Sequence, residues 1–350
     1  MTTFATSGGM SLIELGNRSA NQALLTIINS ISTTNQIMQF AQMVECNNGT
    51  TSVGSRRSTR ITGTWRDYDE GAAGGTTTTE PYEEPTSTLS HIFTIDKTRK
   101  ADAPDPMKFV NDEIEMEMRD LQIQAMTAFF YGDRATDSSF AGKMPNGLSN
   151  RTDWNTLSSA YVYDNSGGNA SATANKTSLW ILSFGSNKLE INFPRGSAPG
   201  GQEPNEPDAQ GWGIKMRLLN KDTATDSGGT NEFPADNIWF EQRWGILPHD
   251  PRYIARVSNI STTNVDEVDD FSFNEDYVID AISAIPMLHR AGTVVCGNAI
   301  MEAQIWKAVK NSGSRNFTET VDAFGERVPA ICTLPFVRCD AIVSTEATVS

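Results

Sequence analysis

Two short clusters contain residue types that could carry chemistry. The acids of Asp67-Tyr68-Asp69-Glu70 could supply the paired carboxyl groups that hydrolyse a glycosidic bond. In His249-Asp250, which precedes Pro251, the carboxylate could orient the imidazole as a general base. Acids where a strand meets a loop are more often simply solvated, however, and no nucleophile accompanies the histidine. We therefore expect both clusters to be structural and the protein not to be an enzyme.

Cofactor and metal chemistry finds no stronger support. The chain lacks a Gly-x-Ser-x-Gly elbow, a phosphate-binding glycine loop ending in Lys-Ser or Lys-Thr, and a His-Glu-x-x-His pair. Its four cysteines lack metal-site spacing and lie in apolar contexts, which favours buried free thiols: Cys46, Cys296, Cys332 and Cys339. None of the three histidines has a neighbouring ligand at helical or hairpin spacing. We predict no cofactor and no bound metal.

The charge of the chain limits its partners. A formal net charge of −15 is poorly suited to tight binding of nucleic acid, because that affinity rests on Lys and Arg that neutralise phosphates. No stretch approaches the ~20 apolar residues of a membrane-spanning helix, so we expect no membrane partner. One basic run interrupts the acidic pattern: Arg56-Arg57-Ser58-Thr59-Arg60, with Arg66 close behind it.

The most informative part of the chain lies between residues 60 and 148. Arg60–Arg66 and Leu89–Asp96 each alternate polar and bulky side chains, as half-exposed strands do. Between them, residues 69–88 are nearly free of apolar side chains, so this segment cannot pack a core of its own. A loop of this length usually serves a partner or a function. The pattern predicts a projecting arm made of two strands.

One long helix follows the arm. Asp105 can cap it, and Pro106 at the first helical position costs no hydrogen bond. Apolar residues then recur at three- and four-residue steps, as in an amphipathic helix that buries one stripe: Met107, Val110, Ile114, Met118, Leu121, Ala125 and Phe129. Gly132 is the expected end. From Pro106 to Tyr131 the helix would be roughly 39 Å long.

The remaining segments predict a mixture of helices and strands. Apolar residues between Leu24 and Met43 predict one or two amphipathic helices ahead of the arm. Trp180–Phe184 and Leu189–Phe193 are expected to form a hairpin. Three further stretches alternate as strands do, at 238–246, 253–260 and 328–343. Two stretches have the composition of surface loops, 196–211 and 220–235, and two have helical periodicity, 275–288 and 298–311.

A series of short strings follows the arm and the long helix in order. Tyr131-Gly132-Asp133 comes first, and then Pro145-Asn146-Gly147-Leu148 with Arg151 close behind. Further strings occur at Thr177–Gly185, Phe193–Ser197, Trp244–Ile246, Asp250–Tyr253, Arg256–Ile260, Leu334–Ile342 and Thr345-Glu346. Together with the arm and the helix, this order resembles the major capsid proteins of tailed bacteriophages, particularly those of short-tailed phages.

The resemblance implies the Hong Kong 97 capsid fold, an α+β fold with a defined plan. It places an N-terminal arm at residues 1–54 and an extended β-hairpin loop, or E-loop, at 55–101. A peripheral domain with the long spine helix would occupy 102–135. An axial α/β domain would occupy 136–350, with strands that return to the peripheral domain.

The resemblance also implies a function and partners. The protein would be the major head protein, which self-assembles through hexamers and pentamers into an icosahedral shell around double-stranded phage DNA. A separate scaffolding protein, a portal protein and, in some shells, a decoration protein would be its partners. The subunit would assemble in the cytoplasm of the host bacterium and end in the virion.

Eight residues are candidates for contacts between subunits: Arg56, Arg57, Arg60, Trp65, Arg66, Tyr82, Glu113 and Glu117. The arginines either contact packaged DNA or an assembly partner, or they pair with acids of a neighbouring subunit, which is the interpretation we favour. A different class of function stays open beside the shell. Seven tryptophans and exposed acids would also suit a virion protein that binds or acts on carbohydrate.

The composition of the extended loop predicts how the shell is held together. In some capsid proteins of this kind, an isopeptide bond between a lysine of this loop and an asparagine covalently cross-links neighbouring subunits. Residues 56–96 contain no lysine. We therefore expect mature particles to run as single subunits on a denaturing, reducing gel, and covalent ladders of subunit multiples would refute this prediction.

Overall fold

The computed structural model describes residues 37, 40–59, 61–135, 142–168, 175–196, 215–219, 221–226, 228–262, 273–286, 292–312, 317–321, 327–331 and 334–350. The predicted helices between Leu24 and Met43 fall almost wholly outside these residues, as do Arg60 and Cys332. Within the described part of the chain, no helix is long and apolar enough to cross a bilayer.

A six-stranded sheet is organised around one long strand, β10 (Glu232–Pro248). Residues 232–244 of β10 pair antiparallel with three strands, β4, β8 and β9, and residues 245–248 pair antiparallel with β7. The other five strands are β1 (Met43–Glu45), β4 (Ser87–Asp96), β7 (Leu189–Phe193), β8 (Lys215–Leu219) and β9 (Thr223–Thr225). Because β10 pairs along most of its length, it ties together segments that are far apart in sequence.

A seven-stranded sheet forms the second layer. Its strands are β5 (Val162–Asp164), β6 (Lys176–Ser183), β11 (Ile254–Ser261), β12 (Thr293–Gly297), β13 (Phe317–Val321), β14 (Arg327–Ile331) and β15 (Leu334–Arg338). Their order in the sheet is β13-β14-β15-β12-β6-β11-β5. The central strands β6, β11 and β12 are buried along their whole length. Burial of every residue along a strand is typical of strands that are covered on both faces of the sheet.

Helices cover one face of the seven-stranded sheet. Leu179 and Ile181 of β6 lie in an apolar cluster with residues of α3 (Glu275–Ala284) and α4 (Ala299–Ser312). Trp180 and Leu182 point to the other face, where they join the end of the long helix in a second cluster. The alternation along β6 therefore places one sheet between two cores.

The long helix, α2 (Pro106–Tyr131), has the predicted bounds. The Asp105 carboxylate accepts hydrogen bonds from the backbone nitrogens of Met107 and Lys108, and Pro106 occupies the first turn. A short helix, α1 (Lys97–Asp102), precedes it. The two halves of α2 pack differently: Val110, Ile114, Met118 and Leu121 lie against β4 and β10, whereas Phe129 and Phe130 enter the main core. Met107 of the predicted stripe is 68% exposed.

Gly132 ends the helix as expected, but for a steric reason. Its φ of −55° is not left-handed, so the usual advantage of glycine at a helix end does not apply. The backbone of Gly147 lies against it instead, with the Gly147 nitrogen donating to the Gly132 oxygen at 2.7 Å. A Cβ on Gly147 would lie 2.8 Å from the carbonyl oxygen of Phe130. Two glycines therefore allow the chain to pass directly beneath the end of α2.

A buried ionic centre joins α2, the seven-stranded sheet and the C-terminal tail. The guanidinium of Arg256 donates to Glu346 at 2.9 Å, to Ser178 at 3.0 Å and to the Trp154 carbonyl at 3.0 Å. Both charged side chains are only 4% exposed. The Tyr131 hydroxyl at the end of α2 also donates to Glu346. Burial, and next the negative charge of Glu346, raise the pKa of Tyr131, so the phenol keeps its proton.

The projecting hairpin differs from its predicted form. Its strands are β2 (Thr51–Arg57) and β3 (Thr79–Pro85), which pair from Thr51↔Pro85 to Arg57↔Thr79. The prediction of a strand at Arg60–Arg66 is wrong, because residues 61–66 have no strand partner and are exposed. Leu89–Asp96 is a strand, but it pairs with β10 in the six-stranded sheet. We use "projecting hairpin" below for residues 51–85.

Two other predictions are corrected. Trp180–Phe184 and Leu189–Phe193 do not form a hairpin, because β6 belongs to the seven-stranded sheet and β7 to the six-stranded sheet. The turn between them carries the chain from one sheet to the other. Residues 220–235 are not simply a surface loop, since they contain β9 and the start of β10.

The contact between Gly132 and Gly147 gives a test of this packing. Gly147→Ala should lower the free energy of unfolding by about 1–3 kcal/mol, because its methyl group would meet backbone atoms that cannot rotate away. Gly63→Ala is the matched control, since a Cβ there has no atom within 4 Å. Urea unfolding followed by circular dichroism measures both. Equal stability of the two variants would contradict the proposed close approach.

Candidate functional site

The root of the projecting hairpin is fixed to the body by a chain of polar contacts. The hydroxyl of Tyr82 lies 2.8 Å from Nδ1 of His249, and Nε2 of the same ring lies 2.6 Å from the Glu190 carboxylate. Because a carboxylate only accepts hydrogen bonds, Nε2 is the donor to Glu190, and in that tautomer Nδ1 accepts the hydrogen bond of the Tyr82 hydroxyl. Burial raises the pKa of Tyr82, although the nearby Arg56 opposes this, so the phenol stays a donor.

Close packing accompanies these hydrogen bonds. The ring of Tyr82 lies over Gly54 of β2, where a Cβ would come within 2.8 Å of the ring carbon Cε1. The guanidinium of Arg56 lies 5.7 Å from the centre of the same ring, which is within range of a cation–π interaction. The Tyr82 and His249 rings meet edge to face at 6.1 Å. The tyrosine is thus held on three sides.

A second anchor is the pair of Arg151 and Glu84. The guanidinium uses both of its terminal nitrogens, one donating to Oε1 of Glu84 and the other to Oε2 at 2.9 Å. Arg151 also donates to the carbonyl oxygens of Asn146 and Ile246. The two side chains are 9% and 16% exposed. A two-point contact of this kind fixes orientation as well as distance.

Backbone contacts complete the root. The side-chain nitrogen of Asn192 donates to the Glu84 carbonyl at 2.9 Å and to Ser52 at 3.1 Å. The Thr86 nitrogen donates to the Thr50 carbonyl at 2.8 Å. A Cβ on Gly245 would lie 2.7 Å from the Pro85 carbonyl oxygen, so only glycine permits this approach. Both ends of the hairpin are therefore tied to β7 and β10.

A cavity of about 680 Å³ opens beside the root. It lies between the end of β2 and the turn that precedes β11, and its lining includes Arg56, Arg57, Tyr161, His249, Asp250 and Arg252. Arg252 is paired with Asp250 at 2.6 Å. Burial alone would raise the pKa of Asp250, but the hydrogen bonds from Arg252 outweigh it and lower the pKa. Arg57 donates to the Thr59 carbonyl and has no acidic partner in the described part of the chain.

The tip of the hairpin contrasts with the root. All residues from 61 to 80 are exposed, and Trp65 and Tyr68 are 98% and 95% exposed. A small turn orders the tip: the Asp67 nitrogen donates to the Glu70 carboxylate at 3.1 Å, and Arg66 donates to the Glu70 carbonyl at 2.9 Å. The hairpin therefore has a fixed base and an ordered tip with two unburied aromatic rings.

The structure groups the eight predicted contact residues unevenly. Arg56, Arg57 and Tyr82 meet at the root, and Trp65 and Arg66 lie at the tip. Arg60 is outside the described residues. The two glutamates lie on α2: Glu113 is buried within its own subunit, which gives a neighbour little surface to contact, and Glu117 lies 3.3 Å from His91 of β4.

Neither cluster that could carry chemistry has the surroundings of a catalytic site. The imidazole of His249 is occupied on both nitrogens by Tyr82 and Glu190, and Asp250 caps the turn at Pro251–Tyr253. In the described part of the chain, no group of three or more His, Cys, Asp or Glu is arranged to hold a metal ion. Cys46, Cys296 and Cys339 are buried and form no disulfide with one another, and burial raises the pKa of each thiol.

Several residues of the root are absent from the predicted contact set. Glu190 and Glu84 carry no local signal, since their partners lie 59 and 67 residues away in sequence. Arg151 and His249 occur in strings that the sequence analysis singled out, but their roles there depend on strand pairing. Only the pairing of β7 with β10 brings Glu190 next to His249.

The fold has clear relatives among solved structures. A chain in the structure of bacteriophage Epsilon15 is 22% identical, with a TM-score of 0.67 over 100% of this chain and 99% of that chain. The capsid of bacteriophage JBD30 is 9% identical, with a TM-score of 0.44 over 91% of this chain and 97% of that chain. The SrpI encapsulin complex of Synechococcus elongatus has 10% identity and a TM-score of 0.42 over 73% and 98%. No curated protein matches the chain.

Two sheets, a 26-residue spine helix and the likeness to the Epsilon15 chain define the fold as the Hong Kong 97 fold. Residues 19–350 match the family Major capsid protein GP7, and the chain belongs to that family. It is a major capsid protein, and its copies assemble into the shell of a virion. The α+β class and the capsid resemblance predicted from sequence are confirmed.

The Arg151–Glu84 anchor can be tested with neighbouring glutamates. Glu84→Gln should lower the free energy of unfolding by about 2 kcal/mol, because it leaves the nearly buried Arg151 charge without its counter-charge. Glu83→Gln, on the exposed side of the same strand, should change it by less than about 0.5 kcal/mol. Urea unfolding of both variants is the measurement. Similar losses in the two would show that Glu84 does not anchor the hairpin.

Proposed function

We propose that this subunit builds an icosahedral shell of hexamers and pentamers that encloses double-stranded phage DNA, and that it has no enzymatic activity. Its further partners would be a separate scaffolding protein, a portal protein and, on some shells, a decoration protein. Assembly would take place in the cytoplasm of the host bacterium. Family membership supports the shell, and the features below support the finer assignments.

The projecting hairpin carries the proposal. Its root is held by the Tyr82–His249–Glu190 chain and by the Arg151–Glu84 pair, whereas residues 61–80 are all exposed. Ordering a segment without burying it costs conformational entropy that its own subunit does not recover. If a neighbouring subunit covers the hairpin, the burial of its side chains would offset this entropy cost. Contacts of this kind between identical copies can close into rings.

The charge distribution supports enclosure of DNA without tight binding. A net charge of −15 disfavours strong phosphate contacts, which would hold the genome too firmly for release. Two arginines of the basic run, Arg56 and Arg57, line the cavity at the hairpin root. Arg56 lies beside Tyr82 and Asp153, which favours contacts with protein over contacts with DNA.

Burial weighs against the carbohydrate alternative and against enzymatic activity. Trp154, Trp180 and Trp244 are core residues, so they offer no platform on which a sugar could stack. Trp65 is exposed, but the acids next to it form the hydrogen-bonded turn at the tip. The paired acids and the histidine that suggested hydrolysis thus have structural contacts of their own.

The domain plan stays a proposal with adjusted detail. We retain an N-terminal arm at 1–54, an extended loop at 55–101, a peripheral domain at 102–135 and an axial domain at 136–350. The hairpin itself begins at Thr51 and ends at Pro85. Ser87–Asp96 pairs with β10 and packs on the spine helix, so it suits the peripheral domain better than the loop.

Deleting part of the hairpin tests whether folding and assembly separate. Removing residues 71–77 leaves the contact of Ser58 with Thr78 that closes the paired strands. We expect an unchanged circular dichroism spectrum and melting temperature, because the deleted residues are all exposed. Co-expressed with its scaffolding protein, the variant should form few or no closed shells by electron microscopy, whereas the wild-type chain should form them.

Two outcomes would count against this function. Normal shells from the deletion variant would make the segment a surface ornament. Failure of the wild-type chain to form closed particles with its scaffolding protein would contradict the shell architecture itself. Replacing residues 71–77 by an equal length of Gly and Ser is the matched control, because it keeps the reach of the hairpin and removes its side chains.

A further inference from the structure

We infer that the tip of the projecting hairpin, residues 65–70, docks into the arginine-lined cavity at the hairpin root of a second copy of this chain. The inference rests on the proposed function, because it names the two surfaces through which neighbouring subunits would meet. It assigns the cavity a ligand class: an acidic segment that presents aromatic rings.

The tip has the composition of a binding element. Trp65 and Tyr68 are almost fully exposed, although both are residue types that often supply most of the energy of an interface. Around them, Asp67, Asp69 and Glu70 outnumber the single Arg66. The turn from Asp67 to Glu70 is already hydrogen-bonded, so little further ordering is needed on docking.

The cavity has complementary properties. Its volume of about 680 Å³ lies within the range of sites that enclose a compact group of atoms. Three guanidinium groups line it, those of Arg56, Arg57 and Arg252. Asp250 pairs with Arg252 and is also close enough to Arg56 to feel its charge. Arg56 lies 3.9 Å from Asp153, a long and half-exposed contact, and Arg57 has no acidic partner among the described residues. Tyr161 adds an aromatic surface.

The occupant is a second copy rather than the same hairpin. The tip of each chain stays outside its own cavity, as the 98% exposure of Trp65 shows. Tip and cavity are different surfaces of one chain, so their contact is head-to-tail, and a head-to-tail contact closes into a ring when the rotation permits. Such rings are the units from which the proposed shell would be built.

Charge reversal tests the contact. Arg57→Glu and Glu70→Lys should each lower the yield of closed shells about tenfold, because each places like charges together. The double variant Arg57→Glu/Glu70→Lys should recover most of the wild-type yield, since it restores opposite charges. Lys143→Glu and Glu232→Lys are matched controls, because they make the same changes at exposed sites outside the tip and cavity.

Mixing the single variants decides whether the contact joins two chains. Arg57→Glu chains have an altered cavity and a normal tip, whereas Glu70→Lys chains have a normal cavity and an altered tip. When the two variants alternate around a ring, each normal tip meets a normal cavity and each altered tip meets an altered cavity, so opposite charges meet at every contact. Sedimentation velocity of the mixture should therefore show ring-sized oligomers that neither variant forms alone. A mixture that stays monomeric, singles that assemble like the wild type, or a double variant without recovery would each overturn the inference.

The wild-type chain provides an independent measurement. Acrylamide quenching of Trp65, taken as the difference between the wild type and Trp65→Phe, should fall when subunits assemble. Unchanged quenching in shells would overturn the docking of the tip and leave the shell intact. If the wild-type chain forms no shells, the proposed function fails instead, so the two failures are distinguishable.

Discussion

The buried pairing of Arg256 with Glu346 is the interaction on which the arrangement of the subunit depends. Two charges that are each 4% exposed are tolerable only when both are paired and hydrogen-bonded, and here Ser178, the Trp154 carbonyl and Tyr131 satisfy the remaining positions. The guanidinium also lies 5.0 Å from the centre of the Trp180 ring. Because Tyr131 is the last residue of the spine helix, this centre fixes the helix against the seven-stranded sheet and the C-terminal tail.

A series of contacts connects this ionic centre to the hairpin root but does not extend to the hairpin tip. The end of α2 lies against Gly147, and Arg151 follows shortly after it and pairs with Glu84 of the hairpin. Arg151 also reaches the Ile246 carbonyl of β10, the strand that ends beside His249. The root therefore moves with the body of the subunit. Residues 61–80 are all exposed, so we expect them to contribute to stability mainly when a neighbouring subunit covers them.

The charge of the subunit sets a condition on assembly. Copies that each carry −15 repel one another, although salt screens this repulsion over distances beyond about 8 Å. Association must then rest on short-range contacts in which cations and acids meet locally and aromatic surface is buried. Several cations of the described body are paired within the subunit, as Arg256 is with Glu346 and Arg252 with Asp250. The arginines at the end of β2 are less completely neutralised, which makes the hairpin root the natural place for an acidic partner.

The sequence by itself determined the elements whose hydrogen bonds are local. A capping Asp105, Pro106 in the first turn and a regular apolar stripe defined the start and the buried face of the spine helix, because helical bonds join residues four apart. Alternation alone did not locate the hairpin strands: Arg60–Arg66 has the pattern of a strand but no partner, whereas Thr51–Arg57 pairs with Thr79–Pro85. The expected hairpin at 180–193 failed for the same reason, since its two strands enter different sheets. Tyr82 and His249, 167 residues apart, likewise meet only in the tertiary structure, because strand pairing and side-chain contacts depend on which distant segments the folded chain places side by side.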